Sequence, residues 1–377
     1  MNILKKRRIG FTLFKYIFLD ILLYSFVAFL FFFVIFFVNN LLVTIQDNLI
    51  KNVSLALIGK FFLYSIPIVI ANAAPYSAFI GALMCLGRFV SDREFMAANA
   101  LGVPNKKLFI PTIVAAVFFA LINFFVNDFL IPFTAPKLND VMFEIGRENP
   151  SSQIQSFAIK RIQNLVIASG DVSKEGIDNI LVIDTSDKNT INFLSAKKTF
   201  LLKPEHNEVL LSLEPNEPQL FVLNKNKPED FEYAYGEKLT YNFLLSEMPN
   251  LNSNKLGPGQ LSSYNLIQKI KHLREEDNVS PFYLNWYNLE LQKKFSIPFG
   301  AMFFVFLAYA LSRSLHLYNQ GVGFVVGLII SVGYWAVLMF GQQLSIDKNI
   351  NSTLTAWLPN VLLLGIGIFL ILKKEKK

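Results

Sequence analysis

"ILLYSFVAFLFFFVIFFV", residues 21–38, runs for eighteen residues without a charge. An apolar helix of about 20 residues covers the ~30 Å hydrocarbon core of a bilayer, so a run of this length reads as a membrane span and not as a buried helix of a soluble domain. The rest of the chain repeats the signal. Of its 377 residues 53% are hydrophobic and 17% charged, and further charge-free windows fall at 61–87, 108–127, 295–312, within 314–346, and at 349–372. Six spans result. Pro67, Asn72 and Pro75 interrupt the second, which predicts a bent or partly unwound segment.

Lys and Arg fix the orientation. Lys5, Lys6, Arg7 and Arg8, then Arg88, Arg93, Lys106 and Lys107, then Arg313, then Lys373, Lys374, Lys376 and Lys377 all fall on one side of a six-span chain. The positive-inside rule places that side, with both termini, in the cytoplasm and the links 39–60, 128–294 and 342–353 outside. A cleaved leader at 1–38 is disfavoured, because its apolar core is too long and no small-residue cleavage site follows.

The long outer link differs in kind. Residues 137–294 hold 21 of the 28 acids and 18 of the 35 bases, net −3, which leaves +10 on the remainder. The overall +7 is therefore a topology signal and not a nucleic-acid footprint. Within this link "NLVIASG", "NILVIDT", "INFLSAKKTFLL", "EVLLSLEP" and "QLFVLN" are rich in β-branched and aromatic residues, with turn chemistry at Pro204-Glu205-His206-Asn207 and Glu214-Pro215-Asn216-Glu217. Short strands at such spacing predict a sandwich or jelly-roll-like sheet. "LSSYNLIQKIKHLREED" (261–277) follows, with Ser262 or Ser263 as N-cap and Leu266, Ile270 and Leu273 on one face of a short amphipathic helix. The linker-like stretch is 250–260, "NLNSNKLGPGQ".

No catalytic constellation emerges. Cys85 is the sole cysteine, so no intramolecular disulfide staples the outer domain. There is no G-x-x-x-x-G-K-[ST] phosphate loop and no H-E-x-x-H, and His206, His272 and His316 are scattered, so neither a metal nor a cofactor is expected. Asp20 and Asp128 lie nearest the apolar cores, where an acid either anchors and pairs at the interface or relays protons.

Between spans two and three lies "SDREFMAANALGVPNKKL" (91–108), too polar and too short to cross. Ser91 with Glu94 three residues on forms a capping-box pattern, Asp92 and Glu94 suit the positive first turn, and Gly102 with Pro104 forms a stop, predicting a helix over 92–101. Ala97, Ala98 and Ala100 permit close approach and Phe95 and Met96 project as knobs. Such an element suits a protein groove, or lies on the lipid surface.

In this order the segments resemble the LptF/LptG (YjgP/YjgQ) permeases of lipopolysaccharide export. "GRFVSDREFMAANALGVP" (87–104) is similar to the family's coupling segment, "KKFSIPFGAMFFVFLAYAL" (293–311) to its fourth span, and "GVGFVVGLIISVGYWAVLMFGQQL" (321–344) with "AWLPN" (356–360) to its closing pair. The resemblance implies a membrane α-helical bundle of six transmembrane helices, three and three, around an inserted extracytoplasmic jelly-roll-like domain. Residues 1–136 would hold spans one to three with the coupling helix at about 91–102, 137–260 the jelly roll, 261–294 the amphipathic helix and a connector, and 295–377 spans four to six.

It also implies a non-catalytic inner-membrane transport subunit. Such a subunit pairs with a second permease, docks on a cytoplasmic ABC ATPase dimer and passes its lipid to a periplasmic jelly-roll bridge. Carried over, Glu94 would be the coupling acid, supported by Arg88, Asp92, Arg93, Phe95, Met96 and Gly102. The lateral gate for the lipid would involve Phe26, Phe29, Phe33 and Phe37 of span one and Gly323, Gly327 and Tyr334 of span five. One departure bears on the cargo: where the family often places basic residues at the outer end of span one for lipid phosphates, this chain has Asn39 and Asn40, with Lys51 and Lys60 further along. Two other classes stay open at this point. A permease of another envelope-lipid or lipoprotein exporter usually has four spans, and a membrane-bound envelope enzyme or receptor needs a convergent polar site in the outer domain.

Overall fold

A computed structural model describes residues 2–46, 53–148, 157–162, 165–173, 176–185, 187, 189–202, 209–225, 229, 231–237, 239–244, 256–276, 280–314, 320–348 and 350–375. The Pro204–Asn207 turn, most of the 250–260 linker, and Lys51, His206 and His316 lie outside them. The helices are α1 (Asn2–Gln46), α2 (Leu55–Ser91), α3 (Glu94–Ala100), α4 (Asn105–Phe125), α5 (Ile131–Glu148), α6 (Ser263–Glu275), α7 (Pro281–Ser314), α8 (Gln320–Asp347) and α9 (Ser352–Glu375). A π-helical turn, Val126–Leu130, joins α4 to α5.

Among the described residues six helices are long and apolar enough to cross a membrane: Phe11–Leu42, Leu55–Ser91, Lys107–Ile145, Pro281–Arg313, Gly321–Asp347 and Ser352–Lys373. The six windows of the sequence thus become six helices, three before and three after an antiparallel sheet. Span two is not unwound. Pro67 and Pro75 sit inside a continuous α2, where each removes one backbone donor, while the Ser65 and Ser77 hydroxyls donate to the Phe62 and Ala74 carbonyls at 2.9 and 2.8 Å. The third span also runs further than its apolar window, through α5 to Glu148, and residues 281–294 belong to the same helix as span four.

The chain forms two compact units, Met1–Val38 with Ile66–Phe133 and Pro258–Lys377, and Asn39–Ser65 with Thr134–Gly257. In the first, a core of small and aromatic side chains gathers Ile17, Ile21, Ala28 and Phe32 of α1, Ala78, Phe79 and Leu83 of α2, Phe304 and Ala308 of α7 and Tyr334 of α8. On α1 the buried positions Ile17, Ile21, Ser25, Ala28 and Phe32 recur every three or four residues, one stripe of a helix whose other faces stay exposed. Gly81 lets this stripe close on α2, because a Cβ there would overlap the Cα, N and Oγ of Ser25. Helix α6 is capped by Ser262, whose hydroxyl accepts from the Asn265 amide at 3.3 Å, and buries Leu266 and Ile270, with Leu273 half-buried beside them.

Among the described residues the second unit holds nine strands: β1 (Ile159–Ile162), β2 (Leu165–Ser169), β3 (Val172–Ser173), β4 (Gly176–Asp184), β5 (Thr190–Leu202), β6 (Val209–Asn216), β7 (Gln219–Asn224), β8 (Phe231–Tyr235) and β9 (Tyr241–Leu244). All the pairings are antiparallel, in the order β1-β2-β4-β5-β6-β9, with β3 on β4 and β7 between β5 and β8. The long β5 changes partner along its length, pairing β7 over Thr190–Ser195 and β6 over Lys198–Leu202. That change divides the sheet around a core of Leu165, Ile167, Ile177, Ile180, Val182, Leu194, Ala196 and Leu213. The predicted turn at 214–217 lies later than expected. Strand β6 continues through Pro215 to Asn216, and the chain reverses at Glu217, whose φ is 50°. Proline is tolerated there because the described β6–β9 pairing stops at Leu213, leaving β6 a partner on one side only.

Candidate functional site

The α2–α3 turn begins where a helix would normally be expected to run on. Helix α2 carries its hydrogen bonding to the Asp92 amide on the Arg88 carbonyl, and Arg93 then takes a left-handed backbone, φ 58° and ψ 19°. Ser91 is consequently the last helical residue of α2, and the predicted capping box does not form. An N-cap needs extended backbone, and the residue at that position is Arg93, without a side-chain cap. Helix α3 is shorter than predicted, beginning at Glu94. Its other end follows the prediction closely. Gly102 has φ +77°, its amide donates to the Asn99 carbonyl at 2.9 Å and the Val103 amide to the Ala98 carbonyl at 3.0 Å, the paired bonds of a Schellman stop.

Two faces result. Phe95, Ala98 and Val103 are half-buried and pack on the bundle core, the Phe95 ring lying 5.9 Å from that of Phe89. Met96 and Leu101, 69% and 85% exposed, point away from it together with Asp92, Arg93, Asn99 and Ala100. Of the two predicted knobs, Met96 projects and Phe95 does not. Position 96 is turned about 100° around the helix from position 95, which carries it off the side that packs on the bundle. Leu101, at the C-terminal end of α3, is the second outward apolar side chain.

Glu94 turns inward as well. Its Oε1 accepts from the Tyr16 hydroxyl at 3.2 Å and stands 4.0 Å from Arg88 Nη2. Arg88 pairs with Asp20, donates to the Tyr16 hydroxyl at 3.0 Å, and lies over the rings of Tyr16, Tyr24 and Phe89 at 6.0, 5.7 and 5.1 Å. Asp20, one of the two acids flagged at the apolar border, is thus an ion-pair partner. Asp128 is the other. It lies in the π turn, where its Oδ1 accepts from the Ser263 amide at 2.6 Å and its Oδ2 from the Ser263 hydroxyl at 3.0 Å, holding the first turn of α6. Beside it Lys294 Nζ donates to the Asn127 carbonyl at 2.6 Å.

The residues assigned to a gate separate into two groups. Phe26 is exposed, while Phe29, Phe33 and Phe37 form a ladder along α1 with ring centroids 5.7 and 5.9 Å apart. Gly323 and Gly327 instead face α2 of the same chain: a Cβ on Gly323 would meet the Leu83 carbonyl at 3.2 Å, and one on Gly327 the Ile80 side chain at 2.7 Å. Tyr334 is buried, its hydroxyl donating to Asn360 Oδ1 at 3.1 Å while Asn360 Nδ2 donates to the Ser296 carbonyl at 2.7 Å. Small residues and polar bonds of this kind hold helices together in lipid, and all three positions make such contacts within the chain. Asn360 belongs to the "AWLPN" segment, and Gly300 gives it room: a Cβ there would lie 2.9 Å from the Tyr334 hydroxyl and 3.1 Å from Asn360 Oδ1.

The order of three spans, a sheet unit and three spans, with a short helix fastened between spans two and three, is the arrangement the sequence resemblance implies. The family described as lipopolysaccharide export system permease LptF/LptG matches residues 15–373. The chain belongs to this family. No curated protein matches the chain. As an LptF/LptG permease it is a multi-pass membrane protein of lipopolysaccharide export, and the matched region contains the α2–α3 turn, Asp20, Asp128 and the Tyr334–Asn360 link.

Proposed function

We propose that the chain is the membrane subunit of an ABC-type exporter, extracting lipopolysaccharide or a related glycolipid from the inner membrane while a separate cytoplasmic ATPase dimer hydrolyses ATP. In this reading it pairs with a second permease of the same family and hands the lipid to a periplasmic jelly-roll bridge. The termini and α3 face the cytoplasm and the sheet unit faces the periplasm, as the Lys and Arg distribution requires. The observation that carries it is the two-sidedness of α3. One face is secured to the bundle by Glu94 and Phe95, and the other leaves Met96 and Leu101 exposed beside Asp92 and Arg93. A helix held on one side with apolar anchors on the other has the form of a helix-in-groove ligand. The ladder of Phe29, Phe33 and Phe37, with the exposed Phe26, supplies acyl-chain surface on span one.

Burying a Met or Leu side chain in an ATPase groove is worth about 2 kcal/mol, close to thirtyfold in affinity. Met96→Asp and Leu101→Asp should each strip the ATPase from the purified chain with membrane insertion unchanged. An ATPase that stays bound to the Met96/Leu101 double variant would show that α3 is not the docking element.

A further inference from the structure

Two lines of contact tie the inward face of α3 to α1. The polar line runs from Glu94 to the Tyr16 hydroxyl, from that hydroxyl to Arg88, and from Arg88 to Asp20. The aromatic line runs from Phe95 to Phe89 at 5.9 Å and from Phe89 edge-on to Tyr16 at 5.5 Å. Both reach Tyr16, and the polar line goes on to Asp20, four residues from Tyr16 and therefore adjacent to it on one face of α1. The side chains of Arg88 and Asp20 are 23% and 20% exposed, so water screens their attraction less than it would at a surface. Five residues beyond Asp20, Ser25 meets Gly81 backbone to side-chain-free backbone. Helix α1 is thus clamped to α2 at two heights, and the lower clamp also grips α3.

We infer that the Arg88–Asp20 pair, with Tyr16, is a transmission joint through which α1 moves with α3 as one body. The inference rests on the docking reading above and adds what the docking is for. A displacement of α3 tilts span one together with the inner end of span two, and the phenylalanine surface of span one is carried by it. Arg88, Asp20 and Tyr16 are positioning residues here: none of them needs to touch the ATPase or the lipid.

The test uses the full chain with its second permease and ATPase in proteoliposomes. Cys85, the only native cysteine, is buried, which leaves introduced cysteines at Asn99 on α3 and Leu30 on α1 for spin labels. Between the nucleotide-free and vanadate-trapped states the label distance should stay within about 2 Å in the otherwise unaltered chain. In Asp20→Ala it should change by roughly the 5 Å of a one-turn slip. Asp20→Ala should keep the ATPase bound and hydrolysing, yet extract about tenfold less lipid per ATP consumed, with Asp20→Glu recovering most of the yield. Tyr16→Phe, which keeps the ring contact and loses the hydroxyl, should fall between. An α1–α3 distance that changes in the unaltered chain, or a normal lipid yield per ATP in Asp20→Ala, overturns the joint. Absence of ATPase from the unaltered preparation is a different result, which overturns the docking reading itself.

Discussion

Gly81→Ala adds one methyl group where two spanning helices touch. The new Cβ would overlap the Cα and N of Ser25 as well as its Oγ, and backbone atoms cannot rotate out of the way. Restoring an ordinary carbon contact of about 3.5 Å requires the helices to part by about 1 Å, a gap that forfeits a quarter to a half of each dispersion contact along the seam. The seam includes Ile17, Ile21, Ala28 and Phe32, and in lipid no hydrophobic effect offsets that loss. Overpacking of this kind costs about 1–3 kcal/mol, opposed by up to ~1 kcal/mol from the better helix propensity of alanine. A net loss near 1–2 kcal/mol lowers Tm by roughly 2–8 °C at the scale of 2–4 °C per kcal/mol for a unit of this size. Cys85 offers the assay. It is the sole cysteine and fully buried, so its reaction with a fluorogenic maleimide during a thermal ramp in detergent reports opening of this core. Ser25→Gly should not rescue the variant, because the obstruction is backbone. Ser25→Ala alone should be close to neutral, since the Ser25 hydroxyl is buried without a hydrogen-bond partner. A Gly81→Ala chain that melts at or above the parent temperature, or one that Ser25→Gly restores, would refute the contact.

Four further substitutions probe three separate joints. Asp128→Ala removes the acceptors of the Ser263 amide and hydroxyl, at about 1–3 kcal/mol for lost bonds to a carboxylate, with the Ser262 cap left in place; amides of the first turn of α6 should lose protection in hydrogen exchange while those of α7 keep theirs. Asn360→Leu leaves the buried Tyr334 hydroxyl without its acceptor and removes the bond to the Ser296 carbonyl, and should destabilise by about 1–3 kcal/mol, whereas Tyr334→Phe, which removes a single neutral bond, should cost about 1 kcal/mol or less in the same thermal assay. Gly102→Val has space, since no atom lies within 4 Å of an added Cβ, but it forces a β-branched residue to φ +77°; the cost of about 1–2 kcal/mol should fray α3 and weaken ATPase retention with insertion unchanged.

The spans were legible because charge is the one property a helix in hydrocarbon must exclude, and the six charge-free windows all became helices. What the windows could not give was where each helix ends. Pro67 and Pro75 read as interruptions, yet α2 runs unbroken through both. Five strands were visible as apolar alternation. Strands β1, β3, β8 and β9 were not: β1 carries Lys160-Arg161 at its centre, β3 and β9 are short, and every residue of β8 is exposed, so burial imposed no pattern to read. At the α2–α3 turn the Gly102 stop is a local signal, and the chain ends α3 there. The Ser91–Glu94 capping box is equally local, and it lost to the continuation of α2, which made Ser91 helical. The pairings that organise the site are not local. Asp20 finds Arg88 across 68 residues and Asp128 finds Ser263 across 135, so the sequence marks the acids as costly without naming their partners. Gly323 and Gly327 likewise announce close packing, and only the fold tells that the neighbour is α2 of the same chain.

The most direct test of the account is ATP-driven transfer of a labelled lipopolysaccharide from proteoliposomes to a soluble periplasmic bridge protein. The vesicles would contain the chain, its partner permease and the ATPase, with Met96→Asp/Leu101→Asp compared against the parent. Transfer that requires ATP in the parent and vanishes in the double variant, with both chains equally inserted, is the predicted result. Equal ATP-dependent transfer by the two would contradict the assignment of α3 as the element through which the ATPase drives lipid export.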